Sequence, residues 1–227
     1  GRHLPRIRQI QMGFLPQRGF CKMIAIINYG VGNLFSLSSS LGFIGQNAVV
    51  TNDRRIIADA EKLILPGVGA FSDAARALHL TGLYDTVIRE TAKGKPLLGI
   101  CLGMQMLFTK SYEYGEYEGL NLIPGTVRPI ASVTGTEQKI PHIGWNALIF
   151  PEEKPKSKLY RYVEPGEHVY FVHSYYAADC TPYISAYTEY GAMITASVEN
   201  ENIYGTQFHP EKSGGVGERI LRNFLEL

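Results

Sequence analysis

At 227 residues, with 45% apolar and 19% charged side chains, the chain is long enough to bury one substantial core, and its composition excludes a disordered or low-complexity protein. The net charge of +1 is uneven: residues 1–22 carry Arg2, Arg6, Arg8, Arg18 and Lys22 and no acid, leaving 17 basic against 21 acidic residues elsewhere. That balance of −4 gives no footprint for nucleic acid, and no apolar run approaches bilayer length, so a soluble protein that binds neither nucleic acid nor membrane is expected.

Residues 1–22 lack a compact apolar run and an obvious cleavage site, so they read as a non-native or disordered leader, with Met23 as a natural start and 23–227 as a single domain. The first strand is "KMIAIINYG" (22–30), an isoleucine-rich run of the kind covered on both faces. Leu34, Leu37, Leu41 and Ile44 then recur at helical spacing. "NAVVTND" (47–53) and "EKLILPGVG" (61–69) supply two more strands, a long helix is expected over 72–92, and "KPLLGI" (95–100) is the fourth strand. This alternation predicts an α/β fold with a mostly parallel central sheet flanked by helices. From Leu120 onward short β-rich pieces dominate, among them "LIPGTVRPI", "WNALIF", "EHVYFVHSYYAA", "MITASVEN" and "IYGTQF". They suggest antiparallel strands added to the same sheet or a small second layer, before a last helix over 216–227.

Three cysteines, Cys21, Cys101 and Cys180, are an odd number at scattered spacings. They argue against a disulfide framework or a metal site and for a reducing compartment, the cytoplasm. Cys101 stands apart because it sits where the fourth strand meets a predicted helix, "LGMQMLFTK", inside Gly99-Ile100-Cys101-Leu102-Gly103. A nucleophile between glycines at a strand-to-helix corner is lifted above the sheet edge, and a helix N-terminus favours the thiolate. A base is available at "YGTQFHPEKSG" (204–214), where Glu211 follows His209 by two residues and, in an extended segment, points the same way to orient the imidazole. "LPGVGAF" (65–71) ends another strand in a loop able to offer backbone N–H groups to an oxyanion. Taken singly, each motif is as well explained by core packing or an ordinary turn, and the conjunction is what points to catalysis.

"GICLGMQ" and "FHPEKSG" together resemble the class I, triad-type glutamine amidotransferases, a flavodoxin-like fold. With "NYGVGNLFS", "LPGVGAF", "PHIGWN" and "YFVHSYY" in the same order, the chain is similar, from Met23 to Leu227, to the glutaminase subunits of imidazole glycerol phosphate synthases, enzymes of histidine biosynthesis. The resemblance implies Cys101 as nucleophile, His209 as acid and base, and Glu211 as its orienter. It also implies Gly67, Val68, Gly69 and Leu102 around the oxyanion, and Gln105, Glu113, His173, Ser174 and Tyr175 around L-glutamine. Trp145 and Asn146 match the segment that faces a (β/α)8 cyclase partner in a heterodimer, which receives the ammonia. No cofactor or metal is implied. The alternatives are a glutaminase serving another synthase, of the anthranilate or aminodeoxychorismate type, and a non-catalytic flavodoxin-like interaction subunit. "PHIGWN" and "FVHSYY" speak against the first, and the intact Cys, His and Glu against the second.

Overall fold

The computed structural model describes residues 23–135 and 137–227; the leader expected over 1–22, with Cys21, lies outside the described residues. The first half runs β1 (Ile24–Ile27), α1 (Leu34–Phe43), β2 (Ala48–Thr51), α2 (Arg54–Asp59), β3 (Lys62–Leu65), α3 (Phe71–Thr81), α4 (Leu83–Ala92) and β4 (Leu97–Ile100). Asn33 and Asp53 cap α1 and α2 by accepting from Ser36 N–H and Arg55 N–H. The helix expected over 72–92 breaks in two at Gly82, whose φ of 66° turns the chain between α3 and α4.

The second half adds α5 (Leu102–Gln105), β5 (Phe108–Ser111), β6 (Tyr117–Glu118), β7 (Ile123–Pro129), α6 (Ala131–Thr134), β8 (His142–Ala147), β9 (His168–His173) and β10 (Tyr175–Ala178). It closes with β11 (Ile184–Glu189), β12 (Met193–Asn200), β13 (Ile203–Thr206) and α7 (Gly214–Leu225). Both expectations for this half are met, because β11, β12 and β13 extend the main sheet while β10, β7, β5 and β6 form a second one. The stretch "EHVYFVHSYYAA" is not one strand. It splits at Ser174 because β9 pairs with β8 whereas β10 pairs with β7.

The main sheet has the order β11-β12-β13-β4-β3-β1-β2, parallel from β13 to β2 and antiparallel where β11 and β12 join. Alternation along β1 sends Ile24 and Ile26 into the core under α1 and α7, and Ala25 and Ile27 into the core under α2, α3 and α4. A parallel sheet covered on both faces binds ligands beyond the carboxyl ends of its strands. Three neighbouring parallel strands, β13, β4 and β3, end there together, and the segments that follow them carry His209, Cys101 and Gly67.

Candidate active site

Cys101 follows β4 with φ 55° and ψ −112°, a conformation that side chains rarely adopt and that a surrounding structure must impose. Its N–H donates to the carbonyl of Thr206 at 2.7 Å, tying the corner to β13. The flanking glycines are required by space: a Cβ on Gly103 would lie 1.8 Å from the Leu65 carbonyl oxygen, and one on Gly99 2.7 Å from that of Gly103. The helix behind the thiol is shorter than its sequence suggests. It ends at Gln105, and Phe108–Ser111 forms a strand instead, because Phe108 and Lys110 pair with Ile123 and Thr126 of β7. A single turn carries little macrodipole, so the help to a thiolate expected from a long helix is largely absent.

His209 and Glu211 reach each other by a turn, not by the extended segment that the sequence suggests. Pro210–Lys212 forms one 3₁₀ turn, and Glu211 Oε1 comes within 2.8 Å of His209 Nδ1. A carboxylate only accepts, so Nδ1 carries the proton and Nε2 is left toward the cavity. His209 is 2% exposed, and its backbone is held by its N–H to Tyr170 O and by Ser213 Oγ on its own carbonyl. Burial pushes the imidazole pKa down, but interaction with Cys101 and Glu211 outweighs it and raises the ring to about 9. Nε2 and Glu211 Oε2 are buried and close no hydrogen bond among the described residues. A ring that holds its proton at neutral pH beside a sulfur is an acid in place for a leaving group.

The loop after β3 lies against the corner. Tyr29 Oη donates to the Pro66 carbonyl at 2.7 Å, and the Leu102 N–H donates to the Gly67 carbonyl at 3.3 Å. Gly67 therefore presents an acceptor to the elbow, and one of the expected oxyanion donors is already occupied. A Cβ on Gly67 would meet Gly103 N, Tyr29 Oη and Leu102 Cβ within 2.9 Å, so the loop sits as close as backbone permits.

Cys101, Leu102, His209, Val68 and Gly69 line a cavity of about 310 Å³, at the small end of ligand sites, together with Gln105, Glu113, His173, Ser174 and Tyr175. Gln105 Nε2 donates to Tyr175 O and to Gln207 Oε1. Glu113 Oε2 accepts the Phe71 N–H at 2.6 Å, capping a helix whose own cap residue, Ala70, cannot; burial raises its carboxyl above the usual range despite that bond. His173 is pushed down to about 3, first by burial and partly by its neighbours His142 and His209, so it is neutral; its Nδ1 donates to Tyr175 O and its Nε2 meets His142 Nδ1 at 3.0 Å. Trp145 and Asn146 lie apart from this cavity on β8, where Trp145 is 53% exposed and Asn146 contacts His142 Nε2 and donates to Glu189 O. A larger groove of about 430 Å³ is lined by Ser39, Phe43, Pro210, Glu211 and Leu221, but neither Cys101 nor His209 faces it. Tyr29, His142 and Gln207 also surround the site and escaped the sequence reading. Gln207 had a signal, since it stands two residues before His209.

The model of the glutamine amidotransferase class-I family matches residues 25–227. The chain belongs to the class I glutamine amidotransferases. Among its relatives within that family are two proteins named imidazole glycerol phosphate synthase subunit HisH. The one from Carboxydothermus hydrogenoformans is 47% identical, over 90% of this chain and all of its own. The one from Methanothermobacter thermautotrophicus is 48% identical, over 90% of this chain and 98% of its own. The fold recurs in a solved glutamine amidotransferase, with TM-score 0.69 and 18% identity over 89% of this chain and 97% of that one. It recurs again in PurLQS from Thermotoga maritima, with TM-score 0.67 and 19% identity over 90% and 97%. Among the described residues of this amidotransferase, no group of three or more His, Cys, Asp or Glu is arranged to hold a metal ion, and no helix is long and apolar enough to cross a membrane.

Proposed function

We propose that the chain is the glutaminase subunit of an imidazole glycerol phosphate synthase, hydrolysing L-glutamine and passing ammonia to a cyclase subunit in histidine biosynthesis. The observation that carries the chemistry is the His209–Glu211 contact beside the strained Cys101. The pathway rests on the likeness to HisH proteins along nearly the whole chain.

Cys101 sulfur attacks the side-chain amide carbon of glutamine, the carbonyl oxygen becomes an oxyanion, and the protonated His209 gives its Nε2 proton to the departing ammonia. The thioester is then attacked by water, which loses a proton to His209, and glutamate leaves as the Cys101 thiolate beside protonated His209 re-forms. Glutamine and water become glutamate and ammonia, with no cofactor. Gln105, Glu113, His173, Ser174 and Tyr175 hold the substrate. The oxyanion takes its donors from Leu102 and the Gly67–Gly69 loop, which requires the Gly67 carbonyl to turn off the Leu102 N–H. That turn is the step a partner controls: glycines on both sides of Val68 permit two backbone states, and the binding of a loaded cyclase selects the open one.

The partner is a (β/α)8 cyclase that forms a heterodimer with residues 23–227 acting as one domain. The inverted strand β8 supports its docking place. His142 is buried there while Ile143 and Trp145 are 58% and 53% exposed, an apolar face turned outward with polar groups turned in. The free thiols of Cys101 and Cys180 fit the reducing cytoplasm.

The test is glutamate release by the chain alone, then with a purified cyclase and its ribotide substrate, with Cys101→Ala as the blank. Stimulation that vanishes in the blank supports the whole reading. Hydrolysis indifferent to the cyclase would remove the pathway, and silence throughout would remove the glutaminase.

A further inference from the structure

Gln207 is 0% exposed, stands between β13 and His209, and has no part in the mechanism above. Its Nε2 donates to Cys101 Sγ at 3.8 Å, within the range of a bond to sulfur. Which end of a buried amide faces a neighbour is decided by hydrogen bonding, and here the decision can be followed back to an atom that has no choice.

The Tyr175 backbone carbonyl can only accept. It therefore takes the amide nitrogen of Gln105, at 3.2 Å, and the protonated Nδ1 of His173, at 2.8 Å. The second hydrogen of that same Gln105 nitrogen points to Gln207 at 3.0 Å, so Gln207 must offer its oxygen. Its nitrogen is then left for the sulfur. Turning Gln207 over would set two donors face to face at Gln105 and two acceptors at the thiolate. Gln207 N–H also donates to Ala196 O at 2.8 Å, which pins the backbone to β12.

We propose that Gln207 is a positioning residue for the nucleophile: the one-way chain from Tyr175 O through Gln105 fixes its amide so that an N–H donor faces the Cys101 sulfur. The bond strengthens as the sulfur becomes negative, since a donor to a charged acceptor is worth more than one to a neutral acceptor. It supplies from a side chain what the single turn of α5 supplies poorly. It also ties the nucleophile to Gln105 and Tyr175, two of the groups proposed to hold glutamine, so substrate contact and sulfur placement share one network.

The proposal rests on the glutaminase reading for its meaning, but its first test does not need glutamine. In the full chain, the rate of Cys101 alkylation by iodoacetamide at pH 7, followed by peptide mass, is compared with that of Gln207→Glu and Gln207→Met. Glu keeps the acceptor for Gln105 and removes the donor to sulfur; Met removes both without adding charge. Alkylation slowed about tenfold in both, with native near-ultraviolet dichroism, is the expected result. Unchanged rates in either natively folded variant would overturn it.

A second measurement needs no variant at Gln207. The side-chain amide resonances of Gln207 should shift as Cys101 titrates and stay fixed in Cys101→Ala, and resonances indifferent to that titration would also refute the proposal. In the coupled assay with a cyclase, both variants should lose kcat by tenfold or more with KM changed less, whereas a purely structural residue would lower thermal stability without this split. If the unaltered chain hydrolyses no glutamine, the glutaminase reading fails, while the alkylation and resonance results still decide the role of Gln207.

Discussion

Cys101 owes its geometry to its neighbours, and the neighbours can be tested singly. Gly103→Ala drives a Cβ into the Leu65 carbonyl, where backbone on both sides prevents escape, and should cost on the order of 3 kcal/mol or prevent folding, as measured by urea denaturation. Glu211→Gln keeps the shape of the side chain but removes the charge beside Nδ1. The His209 pKa should fall from its raised value, and the coupled glutaminase rate should drop by about a hundredfold or more, read by NMR titration and by glutamate release respectively. These residues were legible in the sequence because a Gly-flanked Cys and a His-x-Glu are rare enough to be noticed. His142 was not, because an isolated His carries no signal until its partners are known, and the one signal for Gln207 was its place two residues before His209.

Among the elements, β8 shows most directly how local pattern and tertiary demand diverge. Its outward Ile143 and Trp145 are more than half exposed, with Trp145 meeting Tyr170 edge-on, so Ile143→Ser with Trp145→Ala should lower the thermal midpoint of the free chain only slightly. The same double variant should lose association with the cyclase and the stimulation that follows, in a pull-down and in the coupled assay. The segment after Cys101 makes the opposite point. "LGMQMLFTK" has good helix formers from Met104 to Leu107, yet only its first turn is helical, because Phe108 and Thr109 favour a strand and β7 and β6 offer Phe108–Ser111 a ladder. Gly82 likewise ends α3 where the apolar spacing alone would have continued it.

At the scale of the whole molecule, two buried titrations oppose each other. His209, raised in the folded state to about 9, contributes stability that is complete below its unfolded value near about 6.5 and is lost as pH rises toward 9. His173, lowered to about 3, contributes stability that is complete above about 6.5 and is lost as pH falls below it. Their sum peaks near about pH 6.5 in denaturant titrations across pH, and Glu211→Gln should flatten the alkaline side only. The sheet gives a second prediction at this scale: β13 lies between β12 and β4, so a chain ending at Asn200 loses an interior strand along with α7 and should fail to fold, as judged by circular dichroism.

The amino-acid sequence by itself determined the α/β alternation, the corner that carries Cys101, and the His209-x-Glu211 pair, because these depend on spacing along a few consecutive residues. The tertiary structure alone decided which strands adjoin. Placing β13 beside β4, across a hundred residues of chain, brings His209 to Cys101. It also decided the direction of the Gln105–Gln207 amides and the hold of the Gly67 carbonyl on the Leu102 N–H. Such features rest on contacts between distant segments, and hydrogen-bond direction is fixed only when donor and acceptor are both in place.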